Sequence, residues 1–256
     1  MRTRPARPTL PWLEAGDMFP DVRLAWGPES EAPGLLAAGG VLDVQTLLAA
    51  YRRGIFPWFS EGQPVLWWSP DPRMVLQVAQ FRLHRSLRKT LQKFCSTPGC
   101  ELRFDTAFDS VIRACADGRR KGASGTWILP AMQQAYRALH AAGHAHSVET
   151  WVGGELVGGL YCVAIGRAVF GESMFSRQAD ASKIALAGLA AFCRVAGITQ
   201  IDCQQNTAHL ASLGAAEMPR SQFLNHSAGA QAQPGPAWNF EPLYWQAILP
   251  DMPTLK

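Results

Sequence analysis

No apolar run in this chain approaches the eighteen or so residues that a membrane-spanning helix needs. The opening stretch, Met1 to Pro11, is rich in Arg and Pro and has no apolar segment of the signal-peptide kind. Together these absences argue against a helical membrane protein and make the cytoplasm the expected location. Metal and disulfide signatures are missing as well. The six cysteines, at positions 95, 100, 115, 162, 193 and 203, show neither Cys-x-x-Cys nor Cys/His ligand spacing. Cys162, Cys193 and Cys203 stand in apolar surroundings and read as reduced core residues; Cys95 and Cys100, flanking Pro98-Gly99, are the one pair worth checking. Charge is sparse, at 17% of residues, and the net +4 with a pI near 8.8 permits a polyanionic partner without requiring one. What is present is apolar mass: 48% of 256 residues are hydrophobic, enough for one substantial core spread over a large and a small domain.

The chain is organised around Leu156 to Leu186. Leu156–Phe170 is an apolar, β-rich run with Gly158, Gly159 and Gly166, and it predicts two core strands joined by a turn at Ile165-Gly166-Arg167. The next residues, Phe170-Gly171-Glu172-Ser173-Met174-Phe175-Ser176, mix a carboxylate and hydroxyls with large apolar side chains. A helix starting near Ala181-Ser182 follows. That order suggests a cleft with an apolar end and a polar end. Downstream, Ile198–Gln204 predicts another core strand on which Asp202 and Gln204 alternate with Ile201 and Cys203 and so share a side. On a core strand they are either a hydrogen-bonded structural pair or the polar end of the cleft.

Upstream, Asp43 is placed as the N-cap of a helix through Val44, Leu47, Leu48 and Tyr51 that Gly54 stops. Phe56, Trp58, Phe59, Trp67 and Trp68 put five aromatic rings within thirteen residues. Trp67 and Trp68 read as core; Trp58, between Pro57 and Phe59, reads either as core or as a stacking platform for a base. From Phe81 to Phe94, Leu83, Leu87, Leu91 and Phe94 share one helix face, while Arg82, Arg85, Arg88, Lys89 and Lys93 cluster on the other. A basic stripe is commonly no more than a solvated surface. Because no acidic residue interrupts this one, a phosphate-tracking patch is the alternative, extended by Arg119-Arg120-Lys121. Helices are expected over Asp105–Ala116 and Pro130–Ala142. A strand is expected from His144, with His144 and His146 on one face in structural or hydrogen-bonding roles and Gly153-Gly154 as a hairpin turn. Ser227–Pro236 reads as a linker, and Trp238–Ile248 as a segment packed back on the body.

Several uncommon strings occur in one order: YRRGIFPWFS (Tyr51–Ser60), LWWSPDPR (Leu66–Arg73), GTWI (Gly125–Ile128), HAHSVE (His144–Glu149), GESMFS (Gly171–Ser176), ASK (Ala181–Lys183), IDCQ (Ile201–Gln204) and HLASLGA (His209–Ala215). In these the chain resembles the leucyl/phenylalanyl-tRNA protein transferases from Gly34 to Phe223. The resemblance implies an α+β fold, a GCN5-like acyltransferase domain (73–256) behind a small N-terminal domain (1–72). It also implies an enzyme that moves Leu or Phe, and less readily Met, from leucyl-tRNA or phenylalanyl-tRNA onto the N-terminal Arg or Lys of a protein, marking it for degradation. No cofactor or metal is implied, and a monomer is expected.

By the same resemblance, Trp58 and Trp127 would contact the terminal adenosine. Leu160, Phe170 and Met174 would shape the side-chain pocket, and Glu172 would hold the α-amino group. Arg85 and Lys89, with Arg82, Arg88 and Lys93, would meet the acceptor stem, and Asp202 and Gln204 would be the catalytic pair. The family mechanism makes Gln204 a base relayed from Asp202. A neutral amide is a poor proton acceptor, and an α-amine of reference pKa about 7.7–8.0 is already partly neutral, so Asp202 is expected to hold the acceptor amine while Gln204 orients it. Cys162 and Val169 depart from the family pattern and would bear on side-chain selectivity. The rival readings are a CoA acetyltransferase and a non-catalytic RNA-binding protein. Arg177–Ser182 lacks both glycines of a pyrophosphate turn and carries Asp180, which argues against CoA.

Overall fold

The computed structural model describes residues 9–117 and 128–250, and they form two sheets. In the smaller, β1 (Trp12–Leu13) runs parallel to β2 (Leu35–Gly39). After α1 (Val44–Arg52) come β3 (Phe56–Pro57) and β4 (Leu66–Trp68), and β4 pairs antiparallel with both β2 and β3. Asp43 caps α1 as expected, accepting from the Thr46 N–H at 2.7 Å.

The larger sheet has the order β11-β5-β10-β9-β8-β7-β6. Its strands in chain order are β5 (Arg73–Gln77), β6 (Cys100–Phe104), β7 (Ala145–Val152), β8 (Glu155–Ile165), β9 (Ala168–Ser176), β10 (Gln200–Gln204) and β11 (Ala216–Met218). The helices are α2 (Arg85–Ser96), α3 (Phe108–Asp117), α4 (Pro130–Ala141), α5 (Ala181–Val195), α6 (Ala208–Ser212) and α7 (Arg220–Gln231). All pairs in this sheet are antiparallel except β9–β10, which α5 connects as a crossover. The β7–β8 hairpin turns on Gly153 and Gly154, whose φ of 60° and 81° are both left-handed, as a two-residue turn of this type demands. Gly158 lets the start of α5 lie on β8: a Cβ there would stand 2.4 Å from the Ala181 Cβ.

Alternation along β8 and β9 sends side chains to two cores. Tyr161, Val163, Phe170 and Phe175 join α3, α4 and the smaller sheet, including Tyr51, Phe56, Trp67 and Trp68. Leu160, Cys162 and Val169 join α5, α2 and the C-terminal segment. This is a mixed α+β architecture with a small N-terminal sheet beside the larger one. Trp238 stacks on His146 at 3.9 Å and Trp245 is buried, so the C-terminal segment does return to the body.

Four local expectations are corrected. The basic helix begins at Arg85, because Val78–Gln80 forms a 3-10 turn and the Arg82 N–H bonds to the Leu213 carbonyl; Arg82 therefore precedes the helix. Helix α3 begins at Phe108, because Asp105 takes φ 57° and turns its carboxylate onto the Ser147 N–H and His146 Nδ1. His144 lies just before β7, not on it. Finally, Ser227–Gln231 is the end of α7, with Ser227 and Ala230 buried: small residues that read as a linker are what a tightly packed helix face needs.

Candidate active site

The parallel strands β9 and β10 share only two register pairs, Val169↔Ile201 and Phe170↔Asp202. Beyond them each strand carries a bulge. In β9, Gly171 pairs with Cys162 and Ser173 with Tyr161, leaving Glu172 as the extra residue. In β10, Asp202 pairs with Val75 and Gln204 with Met74, leaving Cys203 as the extra one. A bulge bends its strand and ends regular pairing, so two of them side by side prise the strands apart. The gap is a cavity of about 440 Å³. Leu160, Met174, Leu186, Leu189 and Ile201 make its apolar wall, Glu172 and Gln204 its polar one, and Phe56-Pro57-Trp58 its rim from the smaller sheet.

The bulges also reassign side chains. Phe170 and Met174 would share a face in a regular strand, but the extra residue at 172 breaks the alternation. Met174 and Leu160 line the cavity, whereas Phe170 lies on the far side, 5.1 Å from the Tyr51 ring. Asp202 and Gln204 are separated in the same way. Gln204 adopts φ 54°, sparsely populated for a residue with a Cβ, and its side chain enters the cavity. Asp202 points away from it into the body of the protein.

There Asp202 meets Arg73. The guanidinium, fully buried, donates from Nε to Oδ1 at 2.8 Å and from Nη2 to Oδ2 at 2.6 Å, and from Nη1 to the Gly54 carbonyl at 3.1 Å. The rings of Phe56 and Phe223 lie 4.9 and 4.8 Å from it. The Asp202 side chain is 1% exposed. Its Oδ1 also accepts from the Gln204 backbone N–H at 2.9 Å. A carboxylate so enclosed cannot hold an acceptor amine directly. What it does is fix the strained backbone of Gln204.

Glu172 is held differently. Its Oε1 contacts the Tyr51 hydroxyl at 2.8 Å and Gln204 Nε2 at 3.3 Å, and its Oε2 contacts the Tyr136 hydroxyl at 2.9 Å. The two hydroxyls lie 2.6 Å apart. Burial pushes the Glu172 carboxyl up to about 8, against the lowering effect of the Tyr51 and Tyr136 hydrogen bonds. Burial likewise holds both tyrosines well above the ordinary phenol range.

Sequence reasoning thus brought Glu172, Gln204, Leu160, Met174 and Trp58 to one cavity, and missed Arg73, Tyr51 and Tyr136. A signal existed for each: an arginine opening the apolar strand Met74-Val75-Leu76, and two of only four tyrosines on buried helix faces, need polar partners. Trp58 is 39% exposed at the rim, edge-on to Trp68. Trp127 and Arg119-Arg120-Lys121 lie outside the described residues. Cys162 and Val169 are core residues away from the cavity.

On α2, Leu87, Leu91 and Phe94 are buried; Arg85, Lys89 and Lys93, with Arg82 before the helix, are exposed, and Arg88 is half-buried. Among the described residues none of the five cations pairs with a carboxylate. At the other helix named above, the Ser182 N–H at the start of α5 already bonds to Ser176 Oγ at 2.8 Å, and Asp180 pairs with Lys183.

Comparison with known proteins matches residues 75–228 to the family model described as leucyl/phenylalanyl-tRNA protein transferase, and residues 40–71 to the model of that family's N-terminal domain. A leucyl/phenylalanyl-tRNA–protein transferase of Albidiferax ferrireducens is 64% identical over 242 residues, 94% of this chain and 95% of that one. One from Polaromonas sp. is 64% identical over 247 residues, 96% of this chain and 97% of that one. Among solved structures, FemX aligns at 11% identity and a TM-score of 0.44, covering 69% of this chain and 66% of that one.

Proposed function

The chain belongs to the leucyl/phenylalanyl-tRNA–protein transferase family, and from that premise we propose that the cavity between β9 and β10 takes the aminoacyl end of leucyl-tRNA or phenylalanyl-tRNA, less readily methionyl-tRNA. The observation that carries this reading is an apolar cavity on whose polar wall the Glu172 carboxyl meets the side chain of Gln204, a residue held at positive φ. The Leu or Phe side chain lies against Leu160 and Met174, its α-amino group on Glu172, and the terminal adenosine against Trp58; Trp127, the other adenosine contact that the resemblance implies, lies outside the described residues. Phosphates of the acceptor stem follow Arg82, Arg85, Arg88, Lys89 and Lys93. The acceptor is a protein with an N-terminal Arg or Lys. The enzyme works as a cytoplasmic monomer divided near residue 72, and the modified proteins are destined for degradation. No helix among the described residues is long and apolar enough to cross a membrane.

The reaction is aminolysis of an ester. The acceptor nitrogen forms a bond to the aminoacyl carbonyl carbon, the bond to the tRNA 3′-oxygen breaks, and the proton lost by nitrogen ends on that oxygen. An α-amine of pKa about 7.7–8.0 supplies enough neutral nucleophile near neutral pH, so orientation is the larger need. Gln204 orients the amine. Asp202 is a positioning residue: with its charge satisfied by Arg73, it holds the Gln204 backbone in the left-handed conformation that aims the amide into the cavity. The test is to incubate the enzyme with radiolabelled leucyl-tRNA and peptides beginning with Arg, Lys or Ala. Label is expected on the first two only; label on none, or equally on all three, refutes the assignment.

A further inference from the structure

We infer that Glu172, Tyr51 and Tyr136 form a closed ring of hydrogen bonds that keeps Glu172 protonated until an aminoacyl ammonium group replaces the proton. The inference rests on the reading of Glu172 as the α-amino site.

The argument is a count of protons. Three oxygen–oxygen contacts close the ring: Tyr51 to Oε1 at 2.8 Å, Oε2 to Tyr136 at 2.9 Å, and Tyr136 to Tyr51 at 2.6 Å. Each needs one hydrogen. The two phenols bring one each. With Glu172 ionised, both would turn toward the carboxylate and leave lone pairs facing each other across the shortest of the three contacts. Distances point the same way. Hydroxyls donating to an ionised carboxylate sit at about 2.5–2.7 Å, and neutral pairs at about 2.7–2.8 Å. Here the carboxyl contacts are the two longer ones. A third hydrogen, on Glu172, satisfies all three.

Gln204 sets the sense of the ring. Its Nε2 donates to Oε1, which also accepts from Tyr51, so Oε1 is the carbonyl oxygen. The proton sits on Oε2 and points to Tyr136, Tyr136 donates to Tyr51, and Tyr51 donates to Oε1. Charged and titratable neighbours do not undo this. Asp202 from β10 opposes ionisation of Glu172, and Arg73 from β5 favours it. Tyr161 from β8 packs edge-on against Tyr136 at 5.2 Å, and Cys162, on the other face of β8, is itself held neutral by burial. When the ligand arrives as an ammonium ion, the Glu172 proton leaves to solvent and an ion pair remains. When it arrives as a neutral amine, the proton passes from Oε2 to nitrogen and none is released.

The probe is the 3′-amide analogue of leucyl-adenosine, in which an amide replaces the labile ester. Calorimetry in buffers of different ionisation enthalpy counts protons released on binding. With Glu172 near 8 and the ligand amine at about 7.7–8.0, about one proton per ligand is expected at pH 6 and about none near pH 8. The infrared carbonyl band of a protonated carboxyl should disappear on binding. Glu172→Gln is a folded control, because its amide offers a carbonyl to Tyr51 and an N–H to Tyr136 in the same places. It should lack that band and bind the analogue at least tenfold more weakly. If wild type binds the analogue, the variant binds it weakly, and yet no proton is released at pH 6 and no band is lost, the ring is overturned while the α-amino site stands. If wild type does not bind the analogue, or the variant binds it as tightly, the site assignment fails and the ring with it.

Discussion

Two carboxyls flank the same cavity, one buried and one half-buried, and the protein treats them in opposite ways. Asp202 is given a guanidinium, in a two-point geometry walled by Phe56 and Phe223. Glu172 is given two phenols and an amide, and burial carries it up to about 8. The contrast follows from use. Asp202 faces away from the cavity, so a permanent partner costs it nothing in function. Glu172 faces into it, and on the proposed reading a permanent cation there would occupy the place of the ligand's ammonium. Uncharged partners hold the carboxyl in position without placing a cation at that point of the cavity.

This contrast can be broken most severely at Arg73. Arg73→Met leaves Asp202 buried and unpaired, which should cost about 3–5 kcal/mol in denaturant unfolding. Arg73→Met combined with Asp202→Leu should recover most of that stability and none of the activity, since Gln204 is then unsupported. Next in size is Asp202→Asn. If Asp202 positions Gln204, transfer activity should fall about 100-fold by misplacement alone, with the loss equal at pH 7 and pH 9. Near-full activity of the variant at pH 9 would instead make Asp202 a base.

Glu172 should show a pH-dependent contribution to stability. Its folded pKa, about 8, lies above its ordinary 4.5, so the folded state holds the proton more tightly. The associated stability is complete below about pH 4.5 and is lost as pH rises through about 8. Glu172→Gln should therefore gain thermal stability relative to wild type across that window, with no further change above it. A gap that is flat from pH 5 to 9 would mean that Glu172 is ionised throughout. The smallest effects lie outside both carboxyls. Arg85→Ala should weaken tRNA binding and reduce its salt slope by about 1 if Arg85 meets one phosphate. Gln204→Gly should unfold about 1 kcal/mol later than Gln204→Ala, since only glycine takes φ 54° without strain, while both remain inactive.

How much of this was legible depended on the range of the interaction. The face of α2 could be read directly, because Leu87, Leu91 and Phe94 recur at helical spacing and the periodicity is local. So could the Asp43 cap and the Gly153-Gly154 turn. The partners of the two carboxyls could not: Arg73 is 129 residues from Asp202, and Tyr51 is 121 residues from Glu172. Nor could the bulges, which made simple alternation misplace Phe170 and Asp202. A bulge has no reliable signature in the residues that form it: Glu172 and Cys203 each stand beside further polar residues, so the local pattern does not say where the alternation breaks.

The amino-acid order alone determined the elements, the family motifs and the set of polar residues that a buried apolar run could not carry without partners. It did so because propensity, capping and periodicity act over a few residues. Only the tertiary structure decided which way Asp202 and Gln204 face and which carboxyl is paired with a charge. Those outcomes depend on where two bulged strands part and on which distant side chains fill the space between them, and neither is a local property of the chain.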